Sequence, residues 1–285
     1  MKYSIKPDEF EKLKRNNLII GVLYLLVGIF IFAGSFTIEA IKTFEPSVFI
    51  NRLFMDSTEG YNSYSFLSTQ LEKLLEVPFM LILGSVLLAS AVVQIIATMK
   101  KANQPYNSSI QKGISTLRWA QGIFTSFLIA ILPILIGVNN INILITLFVL
   151  SLVFNLCAFT IEKANYKQDK KVWAPFIAMV LAFIASVGAV LPIILKTRQL
   201  YQQQLEEPYI ANMNYIIVAV YFGLLFLKLI HTFLQHKNIS KWSNPVFVEN
   251  IHLILSFIGK VAIVGLVFYS LTNGILTIDL PSYLD

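Results

Sequence analysis

Long apolar runs alternate with short polar stretches along the whole chain. A helix needs about 20 apolar residues to cross the hydrocarbon core of a bilayer. Seven runs reach that length: Leu18–Phe36, Val77–Met99, Ile114–Val138, Ile141–Ile161, Val172–Leu195, Met213–Leu234 and Val246–Leu271. Only GVNNIN separates the third from the fourth. A tight helical hairpin is expected there, because one unbroken helix of that length would cover more than twice the bilayer. Pro133 and Pro192 fall inside runs, where neighbouring helices can satisfy the freed backbone groups. Residues 37–76 form one long connection containing EPSVFINRLF and EGYNSYSFLS. Aromatic and β-branched runs split by acidic and glycine positions predict a short β-hairpin, since structureless loops of this length are uncommon. The expected fold is an all-α membrane protein, a seven-transmembrane-helix bundle forming a single domain over residues 1–285. Residues 1–16 are expected to be a segment outside the bilayer.

Composition narrows the class. Hydrophobic residues make up 56% of the chain and charged residues 13%, with a mean hydropathy of +0.70. A soluble domain carries about 25% charged residues, so a soluble enzyme is excluded. The single cysteine, Cys157, permits no intrachain disulfide. Three histidines (His231, His236 and His252) show no metal-ligand spacing, and no glycine-rich phosphate loop is present. No metal, no nucleic acid and no enzymatic activity are therefore expected. The N-terminus does not read as a cleaved signal peptide: five basic and three acidic residues precede Asn17, and the apolar run after them is too long.

Lysine and arginine in the loops orient such a bundle. With the N-terminus in the cytoplasm, the inner segments hold five, four, four and two basic residues, against three, none, two and none outside. The expected topology is a multi-pass protein of the plasma membrane, with its N-terminus cytoplasmic and C-terminus extracellular. The net charge of +6 then reflects insertion and contact with anionic lipid.

One charge breaks the seventh run. Lys260 lies roughly 20 Å into it at 1.5 Å per residue, too deep to snorkel, and a charge at that depth is a functional-site candidate. It either reaches water through a cavity, pairs with a carboxylate on another helix, or is chemically used. Burial favours the neutral amine, the form that condenses with an aldehyde to give a Schiff base. At about 100° per residue, Glu249, His252, Ser256 and Lys260 occupy a strip roughly 80° wide. Ser256 is one turn before the lysine. Glu249 is about 16 Å from it along the axis, too far for a direct ion pair. Lys228 and His231 sit one turn apart in the sixth run, where Lys228 is expected to snorkel to the nearer end. Glu76 and Glu162 are expected as interfacial charges, and Phe183, Tyr221 and Phe222 as aromatics available to line a pocket.

The segment KWSNPVFVENIHLILSFIGK, Lys241 to Lys260, resembles the sixth loop and seventh helix of heliorhodopsins. RWAQGIFTSF, from Arg118, is similar to their third-helix R-W-x-E-Y-S motif. NYIIVAVYFGLLFLKLIHTFLQHKN has the length and position of their sixth helix. The inverted orientation is also a heliorhodopsin trait. The resemblance implies all-trans-retinal bound as a Schiff base to Lys260. Ser256, Gln121 at the counterion position, Trp119, Thr125, Tyr221 and Phe222 are expected around it, with Glu249, His252 and Arg118 as a possible polar path. It also implies a homodimer, with the first outer loop at the contact, and a signalling partner of unknown identity.

The chain departs from the pattern at one decisive place. The family's counterion glutamate is replaced by Gln121, and a one-residue slip would put Ala120 there instead. Histidines that the family commonly keeps on helices one and two are replaced by Tyr24 and Gln94. A cation at the bilayer centre without an anion is desolvated with no Coulombic return. The expectation is a neutral, near-ultraviolet-absorbing Schiff base in the dark, or one held protonated by a bound anion such as chloride, with the first preferred. The function expected is light sensing rather than pumping. The alternatives are a light-gated proton or ion conductor along Glu249, His252 and Ser256, or a seven-helix scaffold or transporter that binds no retinal.

Overall fold

Each of the seven apolar runs is helical in the computed structural model, which describes residues 5–55, 66–136, 138, 140–165, 172–204 and 208–273. In chain order the elements are α1 (Pro7–Thr37), α2 (Glu39–Lys42), β1 (Ser47–Met55), β2 (Phe66–Glu76), α3 (Phe79–Thr98) and α4 (Lys100–Gln111). There follow α5 (Thr116–Ile131), α6 (Ile141–Asn165), α7 (Ala174–Gln204), α8 (Pro208–Lys237) and α9 (Pro245–Thr272). Among the described residues, seven helices are long and apolar enough to span a membrane: α1, α3 and α5 to α9. The protein is an integral, multi-pass seven-helix bundle.

Several boundaries differ from the apolar pattern, each for a local reason. α1 begins at Pro7, inside the stretch expected to precede the helix. Proline at its first position is pre-set for helical φ, Asp8 and Glu9 sit in the positive first turn, and the Glu9 carboxylate accepts from the Lys6 N–H at 3.0 Å. α9 opens with Asn244, whose Oδ1 accepts from the Val246 N–H at 2.9 Å, followed by Pro245. α5 gives way at Leu132 to a 3-10 turn, Leu132–Ile136, because Pro133 cannot donate to the helical ladder. α4 was not legible as a helix. It turns Tyr106 and Ile110 inward and gives one end of the bundle a short helix, while the hairpin occupies the other.

The hairpin pairs β1 with β2 antiparallel, from Ser47 opposite Glu76 to Met55 opposite Phe66. EPSVFINRLF contains β1. EGYNSYSFLS lies mostly in residues 56–65, outside the described residues, and β2 is described from Phe66 onward. β2 instead uses Leu, Glu and Lys positions of little intrinsic strand preference, so pairing with β1 makes it a strand. Phe49 bridges to Asn140, which ties the hairpin to the α5–α6 connection.

α1 and α3 pack backbone to backbone through glycines. A Cβ on Gly84 would lie 3.0 Å from the Phe32 backbone nitrogen, and one on Gly28 would lie 2.9 Å from Leu88 Cδ2. Small residues permit such approaches in membranes, where packing drives helix association. Gly84→Ala is expected to cost about 1–3 kcal/mol by overpacking. Gly188→Ala, where a Cβ meets nothing within 4 Å, should cost nothing. Thermal unfolding of the two variants in detergent checks the difference.

Candidate functional site

α9 carries Glu249, His252, Ser256 and Lys260 on one face, and the bundle closes over that face. Lys260 is 3% exposed. Its Nζ donates to Ser90 Oγ of α3 at 2.9 Å, and the Ser90 hydroxyl donates onward to the Val86 carbonyl at 2.8 Å. The Tyr24 ring of α1 lies 5.5 Å from the same nitrogen. Ser256 Oγ is 3.5 Å from both the Tyr24 hydroxyl and Gln121 Oε1. Four helices thus surround the amine with hydroxyls, one ring face and one amide. Among the described residues no carboxylate pairs with it.

A cavity of about 80 Å³ runs beside Lys260 between α5, α8 and α9. Its middle is apolar, with Leu128, Ile129, Leu224 and Ile263 around Tyr221. Gln121, Thr125, Ser256, His252, His231 and Lys228 supply polar atoms, and among the described residues no aspartate or glutamate lines it. Gly259 keeps α8 close, since a Cβ there would sit 2.8 Å from Leu224 Cδ1.

The structure therefore puts Lys260, Ser256, Gln121, Thr125, Tyr221 and His252 on one cavity wall. Trp119 and Phe222 lie outside its lining. Trp119 is two residues, about 200°, from Gln121 around α5, and packs edge-on against Phe159 of α6 at 4.8 Å. Phe222 follows Tyr221 on α8 and contacts its ring at 5.1 Å. Ser90 went unrecognised in the sequence. Its only signal was a hydroxyl one turn before Gln94 in an otherwise apolar run.

Toward the α4 end, a buried ionic cluster closes the space beneath the cavity. Arg118 is 7% exposed and lies between two carboxylates. Its Nη1 pairs with Glu162 of α6, and its Nη2 with Glu249 Oε2 of α9 at 2.7 Å. Glu249 Oε1 also accepts from Ser115 Oγ at 2.6 Å and from the Tyr106 hydroxyl at 3.0 Å. Glu162 Oε2 accepts from the Ser115 N–H at 3.1 Å. Burial, reinforced by the Glu249 charge, pushes the Tyr106 phenol well above its ordinary value and keeps it a donor.

Two expectations are corrected here. Glu162 is not interfacial: at 6% exposure it points into the bundle, because Arg118 draws it in. Glu76, by contrast, is exposed and pairs with Lys73. Lys228 does not snorkel. Its Nζ donates to Asn155 Oδ1 of α6 and lies 5.8 Å from the Phe154 ring, facing the same cavity as Lys260. Asn155 is fixed to receive it, since its Nδ2 donates to Ser126 Oγ and the Ser151 carbonyl.

The family model for heliorhodopsins matches residues 13–271. No curated protein matches the chain.

Proposed function

The chain belongs to the heliorhodopsin family of retinal-binding, light-sensing membrane rhodopsins, and on that premise we propose that Lys260 is its retinal attachment point. The observation that carries this is a buried primary amine in the wall of a mostly apolar cavity. That donor set suits a long apolar aldehyde: one amine, hydroxyls beside it and hydrocarbon beyond. Retinal, when bound, supplies a light-isomerisable polyene joined to Lys260 Nζ as a Schiff base.

The chain's own residues govern the proton at that nitrogen. Ser90 Oγ can accept a hydrogen bond from it, with Gln121 Oε1 and the Tyr24 ring nearby. None of them can neutralise a charge. Glu162 and Glu249, the carboxylates nearest the cavity's inner end, are committed to Arg118. A buried charge without a pair is costly, so in halide-free buffer the nitrogen is neutral in the dark and absorption lies in the near-ultraviolet. Gln121→Glu restores a carboxylate beside Ser256 and should move the dark band into the visible. A visible wild-type band without halide, unmoved by Gln121→Glu, would overturn the neutral dark state.

Light then acts by changing the packing and hydrogen bonding around Lys260. A sensor is favoured over a pump because no carboxylate on the cavity wall is free to receive and pass a proton. The conducting alternative along Glu249, His252 and Ser256 is disfavoured by the Arg118–Glu249 pair, which blocks the stripe at its mouth. Loop charges support a cytoplasmic N-terminus. The hairpin end is the proposed homodimer contact.

A further inference from the structure

We propose that the inner part of this cavity, between Lys228, His231 and Gln121, is a binding site for a small monovalent anion such as chloride. The reading goes beyond retinal attachment and does not depend on it.

Among the described residues the cavity wall carries two lysines and two histidines and no acidic residue. Lys228 holds three ammonium protons and has one hydrogen-bond partner, the neutral oxygen of Asn155. The acids that might have compensated it, Glu162 and Glu249, are held by Arg118. Close by are donors with nothing to donate to. His231 is 2% exposed, and neither ring nitrogen has a protein hydrogen-bond partner. One of the two is an N–H in either tautomer. Its ring lies 4.8 Å from that of Trp242 and 6.0 Å from that of His252. Gln121 is 2% exposed, and its Nε2 also lacks a partner.

Buried polar groups are ordinarily satisfied, so such a cluster needs a reason. Each unsatisfied group on this wall is a cation or can donate, and the Tyr221 hydroxyl and the one bare nitrogen of a neutral His231 can also accept. That rules against a metal ion. An anion accepts from Lys228, His231 and Gln121 together and neutralises a lysine that has no carboxylate at ion-pair distance among the described residues. A halide is compact, spherical and an acceptor from any direction, which suits donors converging from α5 and α8. His252, roughly 12 Å from Lys260 along α9, marks the inner limit of the site, and Gln121, which faces Ser256 one turn from Lys260, marks its outer limit.

The test uses purified retinal-free protein in detergent at fixed pH and ionic strength, with gluconate exchanged stepwise for chloride or bromide. The melting temperature should rise saturably with halide in wild type and in Lys260→Ala, and the rise should vanish in Lys228→Met. In Gln121→Leu it should need at least tenfold more halide. No halide dependence in wild type, or an unchanged one in Lys228→Met, overturns the site. Should Lys228→Met not fold, bromide anomalous scattering from wild-type crystals decides: a peak beside Lys228 supports the proposal, and its absence from the cavity overturns it. Because Lys260→Ala should still respond, failure of the pigment assignment and failure of the anion site are separable.

Discussion

Lys260→Ala should abolish pigment formation completely, leaving a folded protein whose spectrum after retinal addition is that of free retinal. Wild type should bind one retinal per chain, and borohydride should fix it to the peptide that contains Lys260. The expectation is sharp because the cavity holds a competitor. Lys228 lines the same space, so an amine as such does not single out Lys260. What distinguishes them is their surroundings. Lys228 points to Asn155 Oδ1 and has cationic Arg118 on the adjacent helix, while Lys260 meets a serine hydroxyl at the apolar stretch of the wall. Loss of folding need not accompany loss of colour, since among the described residues Lys260 pairs with no carboxylate that its removal would leave buried and unpaired. A melting curve at or above the wild-type temperature, with no bound retinal, is the expected pair of results. A retinal band that persists in Lys260→Ala and disappears in Lys228→Met would move the attachment point to α8.

Much of this was legible in the sequence, and the rest was hidden for one physical reason. Apolar length is a strong signal in a bilayer, so all seven spans could be counted. Depth is equally direct, and Lys260 stands out by lying roughly 20 Å from the start of the seventh run. Rotation is not. A soluble helix marks its buried face by contrast with a polar one, but lipid and protein core are both apolar, and the contrast disappears. Glu162 and Lys228 were therefore assigned outward by their nearness to helix ends, whereas the bundle turns both inward. Their inward aim depends on Arg118 and Asn155, partners on other helices that no single segment reveals. Ser90 was missed in the same way. The stripe on α9 escaped this limit because four polar residues share one face, and α4 was missed because its charged, proline-containing segment reads as a loop.

The second large effect belongs to Arg118. Arg118→Gln should destabilise the folded protein by about 3–5 kcal/mol, the usual consequence of removing one partner from a buried ion pair. Here the loss leaves two carboxylates, Glu162 and Glu249, facing each other across the vacated guanidinium with only hydroxyl, amide and backbone donors. Because those acids belong to α6 and α9, their repulsion acts between helices, and thermal unfolding in detergent should detect it as a lower midpoint. Charge and packing can be told apart by neutralising what remains. Glu249→Gln in the Arg118→Gln background should recover part of the loss, since one carboxylate then remains with the Ser115 N–H and Gln235 beside it. Glu249→Gln alone should be milder than Arg118→Gln, because Arg118 keeps Glu162 while the new amide can still accept from Ser115 and Tyr106. If the double variant is no more stable than Arg118→Gln, the guanidinium acts through its shape rather than its charge. The polar closure beneath the cavity would then not be electrostatic.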